Sequence, residues 1–73
     1  MKIRIEPKKI DRLSNTVETV AISAAEFWGV YIQRWDEEFG EWHWSWEFDS
    51  TSLAKAYDRA VELGDATPEL RAA

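Results

Sequence analysis

Apolar and polar residues alternate most sharply at 41–48. Trp42, Trp44, Trp46 and Phe48 take every second position, with Glu41, His43, Ser45 and Glu47 between them. A period of two is that of an extended strand, whose successive side chains point to opposite faces. The pattern therefore predicts a strand with four rings on one side and a polar row on the other. Rings of this size dominate a small core, so the aromatic side is expected to lie inward. Phe27–Asp36 reads as a partner strand, with Trp28, Val30 and Ile32 on one face and Phe27, Tyr31 and Trp35 on the other. Gly40 ends the short link between the two strands, as in a hairpin whose last loop residue needs positive φ. A three-residue loop, Glu38-Phe39-Gly40, sets Glu37 opposite Glu41, Trp35 opposite His43, Ile32 opposite Trp46 and Val30 opposite Phe48. A four-residue loop sets Ile32 opposite Ser45 and divides the core between two faces. The three-residue register is the expectation.

The N-terminal region is more ambiguous. Lys2–Glu6 alternates, with Ile3 and Ile5 on one side, and Pro7 is expected to end this strand near a sheet edge. Residues 8–15 are polar and read as a loop. Thr16–Ile22 is rich in β-branched residues and suits a strand. The spacing of Ile10, Leu13, Val17, Val20, Ala24 and Phe27 also fits one long amphipathic helix. The cost of β-branched side chains in a helix favours the strand. Ser23-Ala24-Ala25-Glu26 matches a capping box and predicts one helical turn.

Downstream, Asp49-Ser50-Thr51-Ser52 is a run of N-cap residues. Leu53, Ala56, Tyr57, Ala60 and Val61 then form a helical stripe, which Gly64 and Pro68 end. The expected fold is one α+β domain over 1–73. It comprises an N-terminal strand or strands with a loop (1–26), a β-hairpin (27–48), a helix (51–64) and a tail (65–73) that is a loose end or one further turn. The antiparallel sheet has three to four strands, and the C-terminal helix packs on the tryptophan-rich face.

Composition narrows the function. The 73 residues contain no cysteine, which removes disulfides and thiolate ligands. No apolar run approaches the ~20 residues that span a bilayer, and the start lacks a signal-like apolar region. A cytoplasmic protein is the expectation. The net charge is −5. Residues 1–15 hold Lys2, Arg4, Lys8, Lys9 and Arg12 against Glu6 and Asp11. Residues 36–49 hold Asp36, Glu37, Glu38, Glu41, Glu47 and Asp49 with no lysine or arginine. Such an acidic block repels phosphates and attracts basic surfaces, so nucleic acid is not the expected ligand.

No catalytic constellation is legible. His43 is the single histidine, and its neighbours Glu41 and Ser45 sit ~6.6 Å away along a strand. No lysine or second histidine completes a site, so the chain is expected to be no enzyme and to need no cofactor. His43, Glu41 and Glu47 would make a weak metal site, and none is expected. Two features suit binding instead. Phe27, Tyr31 and Trp35 form an aromatic stripe away from the helix, flanked by His43, Ser45 and Glu47. Either Ile10 and Leu13 fold over that stripe, or it stays exposed as a protein-binding patch or a homodimer contact. The hairpin tip gathers Asp36, Glu37, Glu38 and Glu41 around Phe39, as a solvated turn or as an acidic probe for a basic groove.

The segments Phe27-Trp28-Gly29-Val30-Tyr31, Gly40-Glu41-Trp42, Phe48-Asp49-Ser50 and Ala54-x-x-Tyr57 resemble small phage and mobile-element proteins built as a hairpin followed by one helix. The resemblance covers residues 27–64. Some such proteins are DNA-binding arm domains of phage integrases, which read DNA with a basic sheet face. Here Glu41, Glu47 and the acidic tip occupy that face. Others are small anti-CRISPR proteins, which this chain resembles in size, acidity and lack of catalytic residues. That likeness implies a non-enzymatic inhibitor in the host cytoplasm that docks on a basic, nucleic-acid-binding surface of a host protein, such as a CRISPR effector subunit. The likeness carries over no residue-level site; the acidic hairpin and aromatic stripe offer Tyr31, Trp35, Asp36, Glu37, Glu38, Phe39, Glu41, His43 and Glu47 as partner-binding residues. The alternatives are a nucleic-acid-binding accessory domain using the basic N-terminus and a structural homodimer.

Overall fold

The computed structural model describes residues 2–73. Its elements are β1 (Ile3–Asp11), β2 (Thr16–Thr19), a 3-10 turn (Ile22–Ala24), β3 (Phe27–Asp36), β4 (Glu41–Ser50), α1 (Leu53–Glu62) and β5 (Glu69–Leu70). The fold is α+β. Four strands form an antiparallel sheet in the order β2-β1-β3-β4, and β5 adds to β1 in parallel. No described helix is long and apolar enough to cross a membrane.

β1 runs straight through Pro7, where an end was expected. In a strand the N and O of one residue point to the same side. Pro7 O accepts from Val20 N–H at 3.0 Å, so the missing donor also faces the β2 side. The ladder to β3, with Ile3 opposite Ile32 and Pro7 opposite Trp28, loses nothing. The same strand extends through Lys8 to Asp11, residues first read as loop, because Lys8–Asp11 pairs with Thr16–Thr19.

The β-branched run forms a strand over Thr16–Thr19 only, with Ile22 in the 3-10 turn, and the long-helix alternative for residues 10–27 is not adopted. The capping box does not form. The 3-10 turn has Ala21 at its N-cap and no side-chain cap bond. Glu26 instead accepts from Ile10 N–H at 3.0 Å.

Both hairpins use one device. Asp11 pairs with Thr16 and Asp36 with Glu41, each across a four-residue loop. Asp11 Oδ1 accepts from Leu13 N–H at 3.0 Å, and Asp36 Oδ1 from Glu38 N–H at 2.9 Å. Each loop ends on a residue at positive φ, Asn15 at 55° and Gly40 at 65°. An aspartate that bonds to the backbone two residues on closes such a turn locally. The three-residue loop is thereby corrected.

The consequence is a divided register. From Asp36–Glu41 to Tyr31–Trp46 the pairing follows the four-residue loop, with Ile32 opposite Ser45. Between Tyr31 and Val30 the register shifts by one, and Val30 pairs with Phe48, Gly29 with Asp49 and Trp28 with Ser50. Glu47 is the extra residue of a β-bulge. Directly paired side chains share a face, and a bulge changes which face the following residues occupy. Phe48 thus joins Val30, while Trp46 joins Tyr31. The expected conflict between the two registers is resolved by adopting each over part of the ladder.

The helix lies on the Val30 side. Ile3, Ile5, Val30, Ile32, Ala56 and Ala60 form the buried core, with Trp28, Phe48, Leu53, Tyr57, Leu63 and Leu70 packed around it. Ala56 and Ala60 let the helix approach the sheet closely. Ser52 caps it, its Oγ accepting from Lys55 N–H at 3.3 Å. Trp28 and Phe48 are the large rings of this layer. Trp42, Trp44 and Trp46 stand on the opposite face, which corrects the expectation that they lie beneath the helix.

The tail is tied down. Asp65 Oδ2 accepts from Ile3 N–H at 3.0 Å, Arg71 N–H donates to Ile5 O at 2.8 Å, and Ala73 N–H donates to Val20 O at 3.2 Å.

Candidate functional site

The face away from the helix carries most of the aromatic side chains. Cross-strand pairing sets Tyr31 opposite Trp46, Gln33 opposite Trp44 and Trp35 opposite Trp42, and Phe27 lies on the same face of β3 as Tyr31. Two sets of rings are in contact. Trp46 stacks between Phe27 (centroids 6.2 Å apart) and Tyr31 (5.9 Å), and Trp35 meets Trp42 edge-on at 5.3 Å. No second layer among the described residues covers them. Trp35 is 52 % exposed, Trp42 59 % and Trp46 44 %. Ile10 and Leu13 do not fold over this stripe, since both are exposed. Ile10 and Val17 instead extend it, lining a shallow cleft with Phe27 and Trp46.

Polar groups fix the middle of this face. Glu6 and Lys8 are 7 % and 6 % exposed. Lys8 Nζ donates to Glu6 Oε1 at 3.0 Å and to Thr19 Oγ1 at 2.7 Å, and the Thr19 hydroxyl donates to Glu6 Oε1 at 2.6 Å. Arg4 Nε lies 2.7 Å from Glu6 Oε2 in an ion pair. The Arg4 guanidinium sits over the Trp44 ring at 4.2 Å, and Lys8 Nζ over Tyr31 at 4.8 Å. Burial pushes the Glu6 carboxyl up, but Thr19, Lys8 and Arg4 together outweigh it and hold the group below its ordinary value. Burial likewise pushes Lys8 down, and Tyr31 and Glu6 more than reverse this. Gly29 gives these side chains room. A Cβ there would lie 3.1 Å from Tyr31 Cε2 and 3.6 Å from Lys8 Cε.

The hairpin tip is polar and open. Glu37, Glu38 and Phe39 are exposed, Phe39 at 69 %. Phe39 packs edge-on to His43, centroids 6.5 Å apart. His43 Nε2 lies 3.1 Å from Asp36 Oδ2 and 3.4 Å from Glu41 Oε1. His43 pairs with Arg34, not with Trp35 as the three-residue loop required. Arg34 in turn holds Glu47, its Nε donating at 3.1 Å.

The sequence-predicted residues are thus sorted into three places. Tyr31 and Trp35 lie on the open aromatic face. Asp36, Glu41, His43 and Glu47 lie on or near the helix-side face, beyond the helix. Glu37, Glu38 and Phe39 form the turn between the two. The expected juxtaposition of the Phe27-Tyr31-Trp35 stripe with His43, Ser45 and Glu47 does not occur. Sequence reading missed Trp42 and Trp46 as surface residues. The available signal was Asp36 five positions before Glu41, the spacing of a capped four-residue loop.

Among the described residues no group of three His, Cys, Asp or Glu is placed to hold a metal ion. No family model matches the chain, and no curated protein or solved structure matches it either. The geometry defines a class only, a small α+β domain with one sheet face covered by a helix and the other left as an aromatic platform beside an acidic turn.

Proposed function

We propose that the protein is a non-enzymatic protein-binding inhibitor that docks its open aromatic face and acidic hairpin tip onto a basic surface of a partner. The observation that carries this reading is the row of half-exposed indoles, Trp35, Trp42 and Trp46, on a sheet face that no element of the described residues covers. Rigid, partly exposed tryptophans rimmed by charge are the usual composition of a binding hot spot. Their immobilisation by stacking lowers the entropy lost on docking. Glu37 and Glu38 supply uncompensated charge at the tip, whereas Glu47 is paired with Arg34. The resemblance to anti-CRISPR proteins supplies the concrete form, occupation of the basic nucleic-acid cleft of a CRISPR effector subunit.

A nucleic-acid-binding role for the basic N-terminus has less support. Arg4 and Lys8 are committed to Glu6, and Arg12 lies 3.4 Å from Glu26. The two readings separate in one experiment on purified components. Binding to the effector subunit should weaken at least tenfold when Glu37→Lys and Glu38→Lys are combined, and should weaken with added salt. Unchanged affinity in the double variant removes the acidic tip from the interface. A gel shift with free DNA or RNA at low salt favours the accessory-domain reading instead.

A further inference from the structure

β4 is an edge strand of ten residues, whereas the opposite edge, β2, has four. Natural sheets blunt a long edge with lysine, proline, shortness or a bulge. β4 contains neither lysine nor proline, and its one bulge lies near its end, at Glu47. Beside that bulge the Phe48 carbonyl is taken up by Trp46 Nε1 at 3.0 Å. From Glu41 to Trp46 the outer side of the strand has no partner among the described residues. Six residues at ~3.4 Å each make a template roughly 20 Å long.

We propose that this edge takes up an extended, basic segment of a partner protein as an additional strand. The inference rests on the protein-binding reading above and specifies its mode. Charge selects the occupant. Residues 35–54 hold six carboxylates and no lysine or arginine. A second copy pairing β4 with β4 would bring Glu41 and Glu47 against carboxylates of the same kind, which opposes self-association. A segment with arginine or lysine at alternate positions meets Glu41 and the tip on one face. On the other face its intervening apolar residues meet the half-exposed indoles of Trp42 and Trp46. Backbone hydrogen bonds supply affinity in this mode, and alternate side chains supply selectivity.

The test uses the intact protein and two synthetic ten-residue peptides of alternating arginine and valine. One is unmodified; the other carries N-methyl groups on alternate backbone nitrogens, in two versions that block either edge of the peptide strand. Binding is read by tryptophan fluorescence and by amide hydrogen exchange. The unmodified peptide is expected to bind and to slow exchange at alternate amides of residues 41–46. One N-methylated version is expected to bind at least tenfold more weakly. Equal binding by all three peptides, or protection absent from residues 41–46, overturns strand addition while leaving charge-driven docking intact. Failure of every peptide to bind also overturns it. The Glu37→Lys/Glu38→Lys measurement on the folded partner then decides the protein-binding reading separately.

Discussion

Substituting lysine at Trp46 and at Phe48 separates the two faces of one strand. The residues are two apart, and in an unbulged strand they would share a face. Phe48 is partly buried, packed on the core beside Val30 at the edge of the helix, where Lys55 and Arg59 line the same groove. Phe48→Lys loses up to ~3–5 kcal/mol of ring packing and adds a third cation beside Lys55 and Arg59. A 73-residue domain has roughly 4–11 kcal/mol in all, so this variant should lose most of its stability. Trp46 is 44 % exposed, so a little over half of its surface is covered. At ~25 cal/mol per Å² and ~150–250 Å² for a buried aromatic, and with allowance for a compact unfolded chain, Trp46→Lys loses about 2–3 kcal/mol. Its ammonium reaches water. The variant should stay folded, with a Tm lower by roughly 10–20 °C at ~4–8 °C per kcal/mol. Far-UV circular dichroism and thermal melts read both outcomes. A folded Phe48→Lys with an unfolded Trp46→Lys, or two unfolded variants, would refute the bulge-directed division of the aromatics.

Three further outcomes follow from the buried charges and the close approach at Gly29. Glu6→Gln removes the carboxylate that faces Lys8 and Arg4 and should cost about 2–3 kcal/mol in urea unfolding, below the usual cost of breaking a fully buried pair because Arg4 keeps some solvent; a loss under ~0.5 kcal/mol would mean the network contributes no net stability. The Glu6 carboxyl is depressed on folding from an unfolded value of 4.5. Its contribution is therefore complete above that pH and is lost as pH falls through the lower folded value. Lys8 is raised from 10.5, so its contribution holds below that pH and fades in strong alkali. Urea titrations should show the wild type losing more stability than Glu6→Gln below pH 4.5, and parallel curves would contradict the assignment. Gly29→Ala places a methyl 3.1 Å from the Tyr31 ring and should cost ~1–3 kcal/mol while shifting the Tyr31 and Trp46 ring resonances; a stabilised variant with unmoved resonances would refute the contact.

Much of this fold is legible in the residues, for reasons that differ along the chain. β3, β4 and α1 declare themselves through strong periodicity, and Ser52 through its place before an apolar stripe. The α+β class follows from them. Facing was harder. Counting apolar residues on one side favours a register that buries every ring, but the turn obeys local chemistry at Asp36 and Gly40. The bulge at Glu47 then accommodates both demands. The register expected for Val30 and Phe48 is found, and that expected for Ile32 and Trp46 is not. Pro7 misled for a similar reason, because its missing donor matters only on the side where a partner strand needs it. The tail gave no periodic signal, and its order comes from single bonds to β1 and Val20. Of the candidate site, the tip residues were readable as exposed, while the exposure of the Phe27-Tyr31-Trp35 stripe stayed open in the sequence; the structure exposes Trp35 and leaves Tyr31 half-buried. Trp42 and Trp46 were not readable as exposed, because a tryptophan in a small chain reads as core unless the register is known.

The placement of the indoles opposite the helix is the claim on which the docking surface depends. A nuclear Overhauser map of the protein in solution tests it most directly. Cross-peaks are expected from the Phe48 ring to Val30 and the Ala56 methyl, and from the Trp46 indole to Tyr31 and Phe27. Cross-peaks from the Trp42, Trp44 or Trp46 indoles to the methyls of Ala56 or Ala60 would place those rings under the helix and contradict the account.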